Sequence, residues 1–262
     1  MNCIPELENL LTSFFIRLPD EIRQSLKFNH GISFDAGVLG ERINYVLNDT
    51  KGTASNGGGS FDATDGSESK ACFFGQPSTC RTCGAKVNYY SDTCSCGSTD
   101  LKPNRDTRWG ISCSSHFKYL GEIPFYHLVT IRPLNKDLDC LKFKLDVYRI
   151  EGNDPIFNEI LKRQLTYGDS SKNLMPLGLD FYMSSPTHIL SVNITITDKV
   201  TYDYEVNTPH KITTVPAHLL SKKNSALLPE TSEVSVETVY QILGLPPSNL
   251  GKPRGITKRK TK

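Results

Sequence analysis

The run Ser60-Phe61-Asp62-Ala63-Thr64-Asp65-Gly66-Ser67-Glu68-Ser69-Lys70-Ala71-Cys72 gathers acids and an amine at close spacing. If Glu68-Ser69-Lys70 lies on a strand, the two-residue side-chain period points Glu68 and Lys70 to one face, so a carboxylate and an ammonium share a site. Asp62 and Asp65 precede them across a turn that contains Gly66. The segment therefore reads as a hairpin that folds at least one further carboxylate back toward Glu68. Carboxylates paired in this way hold hard divalent cations, Mg2+ above all, because its small octahedral shell suits carboxylate, phosphate and water oxygens. The chemistry open to such a site is phosphodiester hydrolysis. The cation polarises a phosphoryl oxygen and lowers the pKa of a water, and the lysine orients that water or stabilises the charge building on phosphorus. A solvated turn with ordinary surface charges would carry the same residue types, and the pattern is short.

A second metal-binding pattern follows in Cys80-Arg81-Thr82-Cys83-Gly84 and Cys94-Ser95-Cys96-Gly97. Each cysteine pair is followed by Gly, which lets backbone amides turn toward the sulfurs, and four thiolates suit a tetrahedral Zn2+. A site closed by four cysteines leaves no open position, so the zinc expected here is structural and staples a small ribbon whose strands include Val87, Tyr89 and Tyr90. Arg81, Lys86, Tyr89 and Tyr90 could touch nucleic acid, although the residues of a small ribbon are exposed whether or not anything binds.

The elements that must position these groups can be read from periodicity. Residues 4 to 27 carry Leu7, Leu10, Leu11, Phe14 and Phe15 at helical spacing, with a break at Pro19 and a second turn through Ile22 and Leu26. A further helix runs from Asp35, its cap, to Leu47 and carries Glu41 near its middle, where the acid either joins the metal site or faces solvent. Residues 48 to 59 are a polar loop ending in three glycines, without the Gly-Lys-Ser/Thr of a nucleoside triphosphatase. The stretch from Asn104 to Tyr119 mixes arginines, the only Trp, a His and a Lys, and Arg108, His116 and Lys118 are its candidate DNA contacts. The alternative role for Trp109 is to fill the core. Phe125 to Arg132 and Leu141 to Ile150 read as a strand pair in the central sheet, Asp154 to Leu165 as a helix, and 168 to 186 as a long irregular region. Ile189 to Thr197 is another strand and 233 to 243 a last helix.

A chain of 262 residues suits one large domain or two small ones, and its net charge of +2 decides nothing about partners. The basic residues do concentrate at the end, in a tail over 251–262 that either lies along phosphates or is simply solvated. No secretory signal or membrane span is evident, so a soluble protein of the cytoplasm is expected. Cys3, Cys72, Cys113 and Cys140 are scattered and expected to be reduced. The organisation expected is N-terminal helices and catalytic hairpin over 1–76, an inserted four-cysteine ribbon over 77–100, the rest of the core with its recognition elements over 101–250, and the tail.

With the helix carrying Gly40-Glu41-Arg42, the turn Phe61 to Gly66, Glu68-Ser69-Lys70, and the later Asn153 to Asn158 and Asp180 to Pro186, residues 35 to 195 resemble a bacterial type II restriction endonuclease of the PD-(D/E)xK superfamily. The resemblance implies an α/β fold with a mixed central sheet flanked by helices, Mg2+-dependent cutting of both strands of a short double-stranded DNA site, and a homodimer whose two-fold symmetry matches a palindrome. It assigns Asp62, or in competition Asp65, as the opening acid, Glu68 as the second Mg2+ ligand, Lys70 as the lysine and Glu41 as the helix-borne acid. The gap from Asp62 to Glu68 is shorter than the common pattern. Two other readings keep the same residues: a zinc-ribbon DNA-binding protein without catalysis, and a less specific or modification-dependent nuclease.

Overall fold

A computed structural model describes residues 3–28, 30–53, 61–104, 108–112, 122–154, 174–178, 187–205 and 210–211 of the chain. The helices expected over 154–165 and 233–243, the glycine run, the basic tail, His116, Lys118 and Cys113 lie wholly or almost wholly outside those residues.

Three helices open the chain: α1 (Ile4–Phe15), α2 (Leu18–Phe28) and α3 (Ala36–Asn48). The break between the first two falls at Ile16 and Arg17, two residues before Pro19. Pro19 instead sits in the first turn of α2, where its missing N–H has no intrahelical partner to lose. Asp35 caps α3 as expected, its Oδ1 accepting the Val38 N–H at 3.0 Å.

The main sheet takes β1 (Glu68–Phe73), β6 (Phe125–Pro133), β7 (Leu141–Glu151), β9 (Thr187–Ile196) and β10 (Val200–Glu205) in that spatial order, with β11 (His210–Lys211) also on β9. Only β1 with β6 is parallel among these pairs, so the sheet is mixed. The strand bearing Glu68 and Lys70 is thus not half of a local hairpin. It is an edge of the main sheet, reached in space by a strand more than fifty residues further on. A register shift between Val147 and Tyr148 interrupts the otherwise regular alternation of β7.

One face of the sheet presents Val129, Ile131, Phe143, Leu145, Val147, Val192 and Ile194 to Leu7, Leu11, Phe15, Leu39 and Ile43 of the helices, and this is the hydrophobic core. Each fully buried aliphatic or aromatic side chain of this set contributes roughly 1.5–3 kcal/mol. Ala71 and Phe73 of β1 face the same core. By alternation Glu68, Lys70 and Cys72 therefore project to the other face. Over there β5 (Arg108–Ser112) pairs with β8 (Leu174–Gly178) and packs against β1. Trp109 is core, 5% exposed, its indole N–H donating to the Val129 carbonyl at 2.9 Å. β8 lies within the stretch expected to be irregular.

β2 (Ser78–Cys80), β3 (Lys86–Val87) and β4 (Leu101–Lys102) form the small separate sheet of the ribbon, in the order β3-β2-β4. Tyr89 and Tyr90 are not on its strands. They turn inward, and Tyr90 is 8% exposed in the main core.

Candidate functional site

Glu68 and Lys70 stand beside Tyr126 and Leu128 of β6. The Lys70 Nζ donates to Glu68 Oε2 at 3.0 Å and reaches Asp62 Oδ2 at 3.5 Å, while the same Asp62 oxygen accepts the Ser69 N–H at 2.8 Å. Glu68 is 7% exposed, so the cluster opens to solvent through Asp62 and Lys70.

The short path from Asp62 to Glu68 is closed by a tight turn. Ala63 N–H donates to the Ser67 carbonyl at 3.2 Å and Gly66 N–H to the Ala63 carbonyl at 3.0 Å. Gly66 takes φ +83°, a left-handed conformation that costs a residue with a Cβ roughly 1–2 kcal/mol. Tyr45 Oη on α3 and the Thr53 N–H hold the Asp62 carbonyl at 3.0 and 3.2 Å. Asp65 points elsewhere: its Oδ1 accepts from the Ser67 N–H at 3.0 Å and from the Ser67 hydroxyl at 2.6 Å. The structure thus brings Asp62, Glu68 and Lys70 together and spends Asp65 on the turn.

α3 approaches β1 so closely that a Cβ at Gly40 would lie 2.6 Å from that of Ala71. This contact brings the next residue, Glu41, to the cluster. Burial first, then the charges of Asp62 and Asp35, raise the Glu41 pKa against the pull of Lys70 and Arg42. Burial, the hydrogen bond shared with Asp62 and the Asp62 charge push Glu68 up to about 8 although Lys70 opposes them. Burial draws Lys70 down, but Glu68 and Asp62 outweigh it and hold the ammonium above the ordinary lysine value. Two acids beside one base leave the pocket short of positive charge.

A pH dependence follows. Because Glu68 in the folded chain lies above its ordinary 4.5, the neutral carboxyl adds stability that is complete below pH 4.5 and lost as pH rises through about 8. In metal-free buffer the denaturation midpoint of the wild type should fall across that window relative to Glu68→Gln. A constant difference between the two would refute the raised value.

Beneath the turn runs a chain of buried polar groups that the sequence reading did not single out. Asn44 Nδ2 donates to Ser67 Oγ at 2.8 Å, Asn48 Nδ2 donates to Asn44 Oδ1 at 2.7 Å, and Asn48 Nδ2 lies 3.5 Å from His127 Nδ1. Burial and the Arg149 charge hold His127 down to about 4, so it is neutral there. The signal was present in spacing, since Glu41, Asn44, Tyr45 and Asn48 follow at three- and four-residue intervals on one side of α3.

Cys80, Cys83, Cys94 and Cys96 form a cluster whose sulfurs all lie within 4.8 Å of one another and which could hold a metal ion. The Cys80–Cys96 and Cys83–Cys94 sulfur distances are 3.7 and 3.5 Å, against about 3.8 Å for a tetrahedron with Zn–S bonds of about 2.3 Å. Backbone amides of Cys83 and Thr82 lower Cys80 to about 6, against some desolvation. The Ala85 amide draws Cys83 down, yet the three neighbouring sulfurs push it up to about 12. Four thiolates in this space need a cation. Cys3, Cys72 and Cys140 are free thiols.

Of the expected DNA contacts, Arg108 opens β5, beside β1, and His116 and Lys118 lie outside the described residues. No helix among the described residues is long and apolar enough to cross a membrane. A family model described as MamI restriction endonuclease matches residues 23–222, a span that includes the acid cluster and the four cysteines. No curated protein and no solved structure matches the chain.

Proposed function

Since the chain belongs to the MamI restriction endonuclease family, we propose that it is a type II restriction enzyme that cuts both strands of a specific double-stranded DNA site by Mg2+-dependent hydrolysis at Asp62, Glu68 and Lys70. The observation that carries this reading is the convergence of two carboxylates on one half-buried ammonium, 3.0 and 3.5 Å away, on the edge strand of the sheet. In a binding protein without catalysis those groups would have no reason to leave solvent together.

The donor set fits the cation. Asp62 and Glu68 offer hard oxygens, Glu41 stands near enough to feel the Asp62 charge, and burial, with the neighbouring Asp62, raises the Glu68 pKa. Bound there, Mg2+ would supply Lewis acidity toward the scissile phosphate and lower the pKa of a neighbouring water. The chain's own residues do the rest. Lys70, held protonated by its two acids, cannot serve as a base, and its ammonium stabilises charge developing on the phosphate oxygens. Asp62 keeps its position through the Ser69 amide, and Asp65 fixes the turn that carries Asp62 to Glu68. Arg108, His116 and Lys118 are proposed phosphate contacts. The four cysteines fit structural Zn2+ by donor type and by spacing. A homodimer is proposed because a palindromic site pairs with two-fold protein symmetry.

Plasmid DNA incubated with the protein and Mg2+ should give discrete fragments, and none when Mg2+ is withheld. A smear would favour the less specific nuclease. Intact plasmid with a gel shift would leave only the zinc-ribbon binder.

A further inference from the structure

The ribbon has two unlike faces, set by its register. Ser78 pairs with Val87 and Cys80 with Leu101, and Cys80, Val87, Cys94, Ala85 and Leu101 pack together around the sulfurs. One residue out of phase, Thr79 of the middle strand pairs with Lys86 on one side and Lys102 on the other. Alternation therefore puts Lys86, Thr79 and Lys102 in one row on the outer face. Both lysines are exposed, and two strand spacings set their backbones about 10 Å apart.

These charges are not neutralised within the ribbon. Its two acids are occupied, Asp100 by Arg81 at 3.6 Å and Asp92 by Lys136 of the β6–β7 connection. Lys86 donates only to the Thr79 hydroxyl, at 2.9 Å, and Lys102 has no carboxylate partner among the described residues. The row is also fixed in place. Tyr90 is buried in the main core, Asn88 donates to Ser25 of α2, and the Lys136 ammonium lies 5.4 Å over the Tyr89 ring. A ribbon that was only a staple would need these inner anchors but not an unpaired cationic row facing outward.

We infer that Lys86 and Lys102 of the ribbon's outer face contact two phosphates of the DNA backbone, giving the protein a sequence-independent hold on duplex DNA outside the acid cluster. The inference rests on the reading of the chain as a DNA-cutting enzyme. It makes the ribbon both a metal-stapled element and part of the DNA interface.

Counterion release gives a quantitative test, because each phosphate contact adds about 0.9 to the slope of log K against log salt. Binding of a fluorescently labelled duplex would be followed by anisotropy from 50 to 200 mM salt, with Ca2+ replacing Mg2+ to prevent cutting. In Lys86→Gln/Lys102→Gln the slope should shrink by about 2, and the affinity gap to wild type should narrow about tenfold over that range. The loss should be the same on duplexes with and without the cleavage site. Lys86→Arg/Lys102→Arg should restore the slope. Zinc content and thermal midpoint equal to wild type would show that the Gln variant is folded. A slope unchanged in that folded variant would overturn the inference and leave the function proposed above intact. A wild type that binds no duplex would instead remove the nuclease reading, and this contact with it.

Discussion

Lys70→Ala should lose cleavage by at least 10²–10³-fold at saturating DNA and Mg2+, the range expected when one preorganised charge donor is removed from a catalytic site. Binding of uncut duplex should change little, because the proposed hold on DNA comes from phosphate contacts elsewhere. Glu68→Gln should lose as much or more, since Gln cannot supply the anionic oxygen a hard cation needs. The two variants differ in their effect on the fold. Burial raises the Glu68 pKa, so removing its charge costs the fold little, and Gln keeps the shape of the side chain. Its thermal midpoint should stay within about 4 °C of wild type, the shift that about 1 kcal/mol produces in a protein of this size. Lys70→Ala removes the one ammonium from between Asp62 and Glu68, so it should be the less stable of the two. Single-turnover cleavage of a mapped site, with anisotropy and melting on the same samples, separates these effects. Wild-type cleavage by either variant would remove Lys70 or Glu68 from the mechanism.

What could be read in the sequence was what is written locally. Asp35 three residues before Val38 is a capping geometry that needs no distant partner, and α3 starts where that cap requires. Glu68 and Lys70 share a face because a strand alternates, whichever strand lies beside it. The four cysteines are recognisable by spacing, and the clean alternation of Leu141 to Leu145 marked a half-buried strand. Long-range pairing was a different matter. A strand near residue 70 that pairs in parallel with one near 130 cannot be told by periodicity from half of a hairpin, which is what the sequence suggests there. β10 repeats Tyr202 and Tyr204 between polar residues but is too short to stand out without β9 beside it. β8 lies within the stretch 168 to 186 that reads as irregular, and its Pro176 is atypical of a strand, yet its backbone pairs with β5. The choice between Asp62 and Asp65 was also beyond the sequence. It depends on which carboxylate the Gly66 turn carries back to the Ser69 amide, and both acids lie on the same turn.

The ribbon supplies the other large effect. Cys83→Ala should lose zinc and soluble yield together, and lower the thermal midpoint of what remains by on the order of 10 °C, as about 3–5 kcal/mol would in a chain of this length. The free energy of a structural Zn2+ site is larger than that in isolated peptides. Part of the ribbon is nevertheless held independently of the metal by Tyr90 in the core and by the Asn88 contact to Ser25, which should keep the helices and β7 folded. The damage should reach β1, because β2 begins five residues after Phe73 and the Phe73 ring packs on the main core. Cleavage should then fall with zinc occupancy although Cys83 lies in the separate sheet of the ribbon and offers no oxygen to the cation. A strong chelator should reproduce the variant in the wild type, since the thiolates left behind repel one another and Cys83 must take up a proton. Readdition of Zn2+ should restore the midpoint to the wild type and not to Cys83→Ala. A wild-type protein that is folded, active and free of zinc would show that the four sulfurs pack without a metal.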